Sequence, residues 1–280
     1  MSVLVFGASS QIGHFLLPRL LARGDAVFAV SRQIRPSQSG VTWLQGDLPQ
    51  LVPPTQPLTA IISFGPLQKL ADWLEQAEIQ GSPQVIATSS MSAESKRHSE
   101  VPAERALSQH LRDAEAALAA ACERRGYVWT VFRPTLVYGA GLDKNLSPIA
   151  RRASRTKVFP LPAGRGLRQP VHADDIAQAA VAALVTADAA GRILSIGGGE
   201  RLTAGEMFAR VRRSLPMATL PVPLPAWLLK LGRHAVPHLR GPLSRLEGDL
   251  IADNSELQRI LGVSPRPFRP DLASWGMGPR

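Results

Sequence analysis

The stretch VLVFGASSQIG at residues 3–13 joins a short apolar run to a turn with a glycine at each end and to the start of a helix. The apolar run predicts a buried strand, and Gly7 permits a tight turn directly after it. Gly13 leaves room for the helix to pack close to the sheet. A second apolar run at residues 26–30 follows the helix. A strand, a glycine turn, a helix and another strand form a βαβ unit of a parallel sheet.

The same turn predicts a binding site for phosphate groups. The helix that follows it has free backbone N–H groups at its N-terminus, and the helix dipole favours negative charge there. A glycine motif between a strand and a helix is the arrangement that holds the pyrophosphate of a dinucleotide. A plain strand–helix turn is the alternative, but the second strand at the expected distance favours the dinucleotide. We therefore predict a dinucleotide-binding site at residues 7–13.

Apolar runs and amphipathic segments continue to alternate along the chain. We expect further strands at residues 42–44, 60–64, 84–88, 128–132 and 192–196, and helices at 67–79, 103–125, 146–154 and 174–185. This order predicts an α/β fold with a doubly wound parallel sheet and right-handed crossovers. We expect a dinucleotide-binding domain at residues 1–196, of which 139–170 partly contribute to a substrate lobe, and a smaller C-terminal substrate lobe at 197–280.

The composition is that of a soluble globular protein, since 45% of the 280 residues are apolar and 19% are charged. No apolar run reaches about 18 residues, so we expect no transmembrane segment. The start of the chain lacks the basic, apolar and small-residue regions of a signal peptide. Cys122 is the single cysteine, which excludes an internal disulfide and suits a reducing compartment. We expect a cytoplasmic protein.

The net charge of the chain indicates which classes of partner it can bind. The formal net charge is +10, and most of the positive charge comes from arginines scattered along the chain with few aromatic residues among them. Such scattering does not form a basic patch, so we expect no nucleic-acid partner. Attraction of phosphorylated substrates is the other interpretation of the charge. We expect a small-molecule substrate, and the sequence leaves a homodimer open.

The end of the second predicted strand distinguishes between the two nicotinamide dinucleotides. NAD sites usually place Asp or Glu here to accept hydrogen bonds from the ribose hydroxyls. This chain has Ser31 and Arg32 instead. Arginine pairs well with a phosphate dianion, so NADP is favoured over NAD. Arg35 is a candidate for a second phosphate contact, and a solvated loop is the alternative interpretation of both arginines.

These motifs resemble the short-chain dehydrogenase/reductase superfamily, in particular its extended, NAD-dependent epimerase/dehydratase-like branch, which has a Rossmann fold. The family motif has a glycine at every third position, and this chain has Gly7, Ser10 and Gly13. The segment RPTLVYG at residues 133–139 is similar to the family's Arg-Pro-x-x-Val-Tyr-Gly. The residues and the resemblance together give a cofactor-binding set of Gly7, Ser9, Ser10, Gln11, Ile12, Gly13, Arg32, Asp47, Leu48, Phe64 and Gly65.

The resemblance also implies positions for catalysis and substrate binding. Ser90 falls where the family has its catalytic Ser or Thr. Asn145, in the segment NLSP, is similar to an Asn that touches a nucleotide-sugar. Arg168, in the segment RQPVHADD, resembles the Arg that holds the diphosphate of that substrate. A guanidinium suits this task because it makes paired, charge-assisted hydrogen bonds.

One part of the family's chemistry is missing. The family carries a Tyr and a Lys four residues apart on one helix, where the tyrosine is the general acid/base and the lysine lowers its pKa. No Tyr-x-x-x-Lys occurs in this chain, and Leu107 and Leu111 stand at those positions. His110 on the same helix is the candidate replacement, because its imidazole has a pKa suited to proton transfer. A histidine at the surface or at the core edge is the alternative.

Two functions remain open. The first is an NADP-dependent oxidoreductase or epimerase that acts on a nucleotide-sugar or similar carbonyl or hydroxyl substrate by an atypical proton-transfer route. The second is a non-catalytic dinucleotide-binding sensor or structural subunit. The substrate anchors favour the enzyme. No metal is expected, because His234 and His238 in the basic, apolar segment 227–246 lack an acidic or Cys partner. That segment is a candidate lid, with a membrane-surface helix as the alternative.

Overall fold

The computed structural model describes residues 1–162, 164, 166–224 and 248–278. The chain divides into two compact units. We name the first the sheet unit and the second the lobe. The sheet unit holds residues 1–134, 174–196 and 253–264, and the lobe holds residues 135–173, 197–252 and 265–280.

Strands and helices alternate through the first part of the chain, as predicted. The strands are β1 (Ser2–Phe6), β2 (Ala26–Ser31), β3 (Val41–Gln45), β4 (Ala60–Ser63), β5 (Gln84–Thr88), β6 (Trp129–Pro134), β7 (Val137–Tyr138), β8 (Val158–Pro162), β9 (Leu167–Arg168), β10 (Val171–His172), β11 (Arg192–Ile196), β12 (Leu202–Thr203) and β13 (Leu220–Leu224). The helices are α1 (Gln11–Ala22), α2 (Leu67–Gln76), α3 (Ser92–Ser95), α4 (Pro102–Arg124), α5 (Leu146–Thr156), α6 (Ala173–Ala183), α7 (Ala204–Arg213) and α8 (Ser255–Leu261).

A seven-stranded sheet in the order β11-β6-β5-β4-β1-β2-β3 forms the centre of the sheet unit. All its pairings are parallel, and β1 lies between β2 and β4, with Val3 opposite Val27 on one side and Ala60 on the other. The strand order therefore reverses at β1. In doubly wound sheets the ligand crevice lies at the carboxyl ends of the strands at such a reversal. The predicted α/β class and parallel sheet are confirmed.

The core beside this crevice is apolar and closely packed. Trp73 on α2 is 1% exposed, and its ring meets Phe6 of β1 edge-on with centroids 5.0 Å apart. The indole Nε1 of Trp73 donates to the carbonyl oxygen of Leu51 at 2.7 Å, so this buried polar group is satisfied. Cys122 on α4 belongs to the same cluster. This packing holds β1 and α4, the two elements on which the candidate site depends.

The two units interleave along the sequence. Residues 135–173 lie in the lobe, although β6 directly before them belongs to the sheet unit. Residues 253–264 return to the sheet unit, because α8 packs against the edge strand β11. A boundary drawn at one point of the sequence misses these returns, because they arise from contacts between distant segments.

In the part of the lobe that the structure describes, short strands form three pairs. β7 pairs with β10 and β8 with β13 in parallel, and β9 pairs with β12 antiparallel. Its core includes four buried aromatic side chains, those of Tyr138, Phe159, Phe268 and Trp275. Sequence analysis did not predict the two-residue strands, because two residues are too few to show a period.

None of the helices in the described ranges is both long and apolar enough to cross a membrane. The segment 227–246, with His234 and His238, lies outside the described residues.

Candidate functional site

The turn between β1 and α1 has the geometry of a capped helix start. Gly7 has a φ of +72°, a left-handed conformation that favours glycine. The backbone N–H of Ser10 donates to the carbonyl oxygen of Gly7 at 2.8 Å, and Ser10 Oγ accepts from the N–H of Gly13 at 3.2 Å. Ser10, which stands where the family has a glycine, is therefore the N-cap of α1. The N–H groups of Gln11 and Ile12 make no hydrogen bond within the described residues.

Gly13 is required by the turn itself. A Cβ at this position would lie 2.3 Å from the carbonyl oxygen of Ala8 and 2.6 Å from that of Gly7. Sequence analysis attributed Gly13 to close packing of the helix on the sheet. The structure shows that the first close contact is with the backbone of the turn, so a side chain here would open the turn before it displaced the helix.

The end of β4 lies against this turn. The N–H of Phe64 donates to the carbonyl oxygen of Phe6 at 3.1 Å, and a Cβ at Gly7 would lie 3.2 Å from Phe64 Cβ. The N–H of Gly65 donates to Ser63 Oγ at 3.3 Å, which holds the chain close after the strand. The structure therefore brings Gly7, Phe64 and Gly65, three of the predicted cofactor residues, to one edge of the sheet.

Arg32 and Arg35 follow the end of β2, and both are exposed. Ser31 Oγ accepts from the N–H of Gln33 at 3.1 Å and from Arg35 Nε at 3.3 Å. The guanidinium carbon of Arg35 also lies 5.9 Å from the ring centroid of Trp43. The side chain of Arg32 is exposed. Of the two arginines predicted to contact a phosphate, Arg35 is held by these contacts, whereas Arg32 makes no hydrogen bond or ion pair within the described residues.

The segment after β3 lies beside the end of β2. The N–H of Gly46 donates to the carbonyl oxygen of Ser31 at 3.0 Å. Asp47 is exposed, and its Oδ1 accepts from the N–H of Leu48 at 2.9 Å. Leu48 is 2% exposed and belongs to the core. Asp47 is thus free to meet a ligand at its outer oxygen, while Leu48 anchors the segment.

Ser90 lies at the end of β5, in a turn that leads into α3. Its Oγ accepts from the N–H of Ser92 at 3.1 Å, and its carbonyl oxygen accepts from the N–H of Ala93 at 2.9 Å. The neighbouring Ser89 Oγ is buried and has no hydrogen-bond partner within the described residues. This pair of serines gives the strand end one oriented hydroxyl and one unsatisfied hydroxyl.

The helix α4 carries Leu107 and Leu111, at which the resemblance implies a Tyr and a Lys. Leu107 is 41% exposed, and His110 is exposed as well. Ser108 and Arg112 both donate to the carbonyl oxygen of Ala93 on α3. Residues two apart on a helix of about 3.6 residues per turn point to nearly opposite sides, so His110 lies on the far side of α4 from α3.

Sequence analysis missed an ion-pair cluster behind this helix. Arg133 of β6 donates from Nε to Glu115 Oε1 at 2.8 Å and from Nη1 to Glu94 Oε1 at 2.7 Å. The Glu115 side chain is 3% exposed. The hydrogen bond to Glu115 is the main cause that raises the pKa of Arg133. The cluster connects β6 with α3 and α4, the two helices that follow the Ser90 turn.

In the lobe, Asn145 stands at the start of α5. Asp143, which is 5% exposed, caps this helix: its Oδ1 accepts from the N–H of Asn145 at 2.9 Å and from that of Leu146 at 2.6 Å. The side chain of Asn145 is exposed. Asp143 is a residue that sequence analysis did not single out, although an Asp before a helix is an ordinary capping signal. It fixes the backbone from which Asn145 projects.

Arg168 is the buried cation of the lobe. It is 5% exposed, and its Nη1 donates to the carbonyl oxygens of Leu167 at 2.7 Å and Gly248 at 2.6 Å. Its Nη2 is buried and has no hydrogen-bond partner in the part of the chain that the structure describes. Burial lowers the pKa of Arg168 from its usual value. A buried guanidinium with an unused donor is suited to bind an anion.

The sheet order and the capped glycine turn at its reversal define a doubly wound α/β protein of the Rossmann type. Residues 68–197 match the model of the NAD dependent epimerase/dehydratase family. The chain is 27% identical to a UDP-glucose 4-epimerase of Vibrio cholerae over 161 residues, which are 55% of this chain. The match spans 47% of that relative, about half of its length.

Solved structures share the fold over nearly the whole chain. MoeE5, in complex with UDP-glucose and NAD, has a TM-score of 0.72 at 20% identity, with 98% of this chain and 97% of that chain covered. A UDP-glucuronic acid 4-epimerase from Bacillus cereus, in complex with UDP-glucuronic acid and NAD, has a TM-score of 0.72 at 16% identity, with 99% and 98% covered. The chain is therefore similar to this family over residues 68–197, and it shares its overall fold with these solved structures.

Proposed function

We propose that this chain binds a nicotinamide dinucleotide at the β1–α1 turn, with NADP favoured over NAD. We further propose that it uses the dinucleotide as an oxidoreductase or epimerase on a nucleotide-sugar or similar carbonyl or hydroxyl substrate. The observation that carries the proposal is the capped turn at the strand-order reversal, with the N–H groups of Gln11 and Ile12 unused. Such amides at a helix N-terminus bind phosphate oxygens.

The predicted cofactor residues fit a dinucleotide. Gln11 Oε1 is buried without a hydrogen-bond partner among the described residues, and it lies on the first residue of α1. The turn would hold the pyrophosphate with its amides, and Asp47 would contact the adenine. Arg32 would contact the 2′-phosphate that distinguishes NADP. The structures of MoeE5 and of the Bacillus cereus epimerase hold NAD, which supports the dinucleotide, and the preference for NADP rests on Arg32.

The lobe supplies the proposed substrate residues. Arg168 would bind the diphosphate through its unused Nη2, and Asn145 would contact the nucleotide-sugar from the start of α5. UDP-sugars are held by both of the solved structures described above, and this supports the substrate class. Because Arg168 is buried, an anion would pair with it in a low-dielectric environment that strengthens the interaction.

The proton chemistry follows a route without the family's tyrosine. The nicotinamide supplies hydride transfer when it is bound. Ser90 would orient the substrate oxygen with its hydroxyl, since its Oγ is held in place by the N–H of Ser92. Leu107 and Leu111 cannot ionise, so the proton would come from His110 or from water. His110 is exposed and lies on the side of α4 away from α3. Water therefore remains an alternative proton donor.

The second candidate function is a non-catalytic dinucleotide-binding sensor or structural subunit. Leu107 and Leu111, at the positions of the family's proton-transfer pair, favour it. A Rossmann fold hosts both catalytic and non-catalytic proteins, so the fold does not distinguish the two functions.

The test of function measures NADPH oxidation with a panel of UDP-sugars and simple carbonyl compounds. Conversion of UDP-glucose to its 4-epimer is followed in parallel by chromatography. We expect Ser90→Ala to lower turnover about 100-fold, the usual effect of removing one hydrogen-bond donor to the reacting oxygen. If His110 donates the proton, His110→Ala lowers turnover, whereas His98→Ala, an exposed control, does not.

The outcomes separate the two functions. Turnover that neither Ser90→Ala nor His110→Ala affects would contradict the assigned roles. Tight NADPH binding without turnover on any substrate would support the sensor or structural subunit.

A further inference from the structure

The lobe contains a cavity of 420 Å³ to which the proposed function assigns no role. Six of the residues that line it carry polar groups: Tyr138, His172, Arg266, Arg269, Asp271 and Ser274. All of them belong to the lobe, and neither Asn145 nor Arg168 is among them. Small-molecule sites have volumes of about 300–1,000 Å³, so the cavity is large enough for a metabolite.

The floor of the cavity is a rigid aromatic layer. Tyr138 and His172 are opposite each other in the β7–β10 pair, and their rings meet edge-on with centroids 5.0 Å apart. Tyr138 is 1% exposed and also packs edge-on against Phe268 at 4.8 Å. Two strands and the lobe core therefore hold the floor in position.

One wall is fixed by a carboxylate. Asp271 Oδ1 accepts from the N–H of Ser274 at 2.8 Å and from its hydroxyl at 2.7 Å. The hydrogen bond from the Ser274 hydroxyl is the main cause that lowers the pKa of Asp271, so this carboxyl group stays ionised at neutral pH. The carbonyl oxygen of Ser274 accepts in turn from the N–H of Gly141 at 2.9 Å, which ties the wall to the segment after β7.

The balance of charge in the cavity is positive. Arg266 and Arg269 are exposed at its rim, and Asp271 is the single carboxylate among the lining residues. Arg269 makes no hydrogen bond or ion pair within the described residues. Two guanidinium groups against one carboxylate leave a net positive charge even when His172 is neutral. Guanidinium groups present forked donors that match the oxygens of a phosphate.

We propose that this cavity binds the phosphate monoester of a small metabolite, with the phosphate on Arg269. A phosphate monoester carries a charge of about −1.5 to −2 at pH 7, so the positive balance of the lining side chains attracts it. The volume of 420 Å³ exceeds the needs of a bare ion, and the remaining space next to His172 and Ser274 would hold the body of the ester. This site is separate from the diphosphate site proposed at Arg168.

The test is isothermal titration with glycerol 3-phosphate at constant ionic strength, with glycerol as the comparison. We expect saturable binding of one glycerol 3-phosphate and none of glycerol. Arg269→Ala should weaken binding about tenfold, the effect of one lost charge-assisted contact. Arg213→Ala removes an exposed arginine of α7 that does not line the cavity, and should leave affinity unchanged.

Three further variants test whether glycerol 3-phosphate binds in this cavity or at one of the two phosphate sites of the proposed function. Asp271→Asn should tighten binding several-fold, because it removes the opposing charge while its amide oxygen still accepts from Ser274. Arg168→Gln and Arg32→Ala should leave binding intact. Loss of binding in either of these two, unchanged affinity in Arg269→Ala, or no saturable binding in the wild type would overturn the proposal. These titrations do not depend on dinucleotide binding or on turnover, so their results stand even if the proposed function is wrong.

Discussion

At the end of β2, Ser31 and Arg32 occupy the place where NAD sites usually carry a carboxylate. The structure adds a distinction that the sequence lacks. Both arginines are exposed, but Arg35 is held by Ser31 Oγ and lies near the face of Trp43, whereas Arg32 makes no hydrogen bond within the described residues. The proposed NADP preference therefore depends mainly on Arg32.

The variant Arg32→Asp tests this preference. We expect NADPH affinity to fall by about 10- to 100-fold, because a phosphate then meets a carboxylate, and NADH affinity to rise. Arg35→Ala should change the ratio of the two affinities much less. Fluorescence titration with both dinucleotides measures the ratio. Equal affinity of the wild type for NADPH and NADH would contradict the assignment.

Arg133 forms ion pairs with one buried and one exposed carboxylate. The two pairs therefore show how burial changes the contribution of an ion pair to stability. The Glu115 side chain is 3% exposed, and that of Glu94 is 40% exposed. Removing a buried partner leaves an uncompensated charge, whereas an exposed pair is weakened by solvent.

We expect Glu115→Ala to lower the free energy of unfolding by about 3–5 kcal/mol. Glu94→Ala, the matched control, should lower it by no more than about 1 kcal/mol. Urea unfolding followed by circular dichroism gives both values. Similar losses in the two variants would show that burial does not set the strength of this cluster.

At the level of elements, α1 has a different glycine requirement at each of its two ends. Gly13 has no space for a Cβ, since the Ala8 carbonyl oxygen would lie 2.3 Å from it. Gly24, directly after α1, has a φ of +77° but nothing within 4 Å of an added Cβ. The first constraint is steric, and the second is purely conformational.

Gly13→Ala and Gly24→Ala separate the two effects. We expect Gly13→Ala to destabilise the fold by more than about 2 kcal/mol and to abolish cofactor binding, because the turn must open. Gly24→Ala should lower stability by about 1–2 kcal/mol, the usual cost of a left-handed alanine, and leave cofactor affinity unchanged. Thermal unfolding and NADPH titration at a temperature where both variants are folded measure the two quantities. Undiminished NADPH binding by folded Gly13→Ala would argue against the assigned site.

At the scale of the whole molecule, the reactivity of Cys122 measures how often the core of the sheet unit opens. It is 0% exposed in the core, and desolvation by burial is the main cause that raises its pKa to about 12. The thiolate is the reactive form, so the native thiol should be inert at pH 8.

A thiol-specific disulfide reagent at pH 8 tests this expectation. We predict that the native protein reacts only through opening of the core, while urea-unfolded protein reacts at once. NADPH at about 100 times its dissociation constant should slow the reaction about 100-fold if opening abolishes binding. Fast reaction of the native protein would show that the core around α4 opens locally.

Part of the fold and site could be predicted from the sequence, because the signals are local. The glycine turn at residues 7–13 and the alternation of strands and helices each depend on residues a few positions apart. The absence of the Tyr–Lys pair is also visible in the sequence, through Leu107 and Leu111. Which of the two arginines contacts other side chains could not be predicted in this way, because Trp43, near which Arg35 lies, belongs to another strand.

The sequence by itself determined the parallel sheet, the glycine turn after its first strand and the resemblance to a known family. The tertiary structure alone decided three other features: the buried pair of Arg133 and Glu115, the unused donor of Arg168, and the cavity between residues 138, 172 and 266–274. The physical reason is that each of these joins segments distant in sequence. Their charges become buried, paired or exposed only when packing brings the segments together.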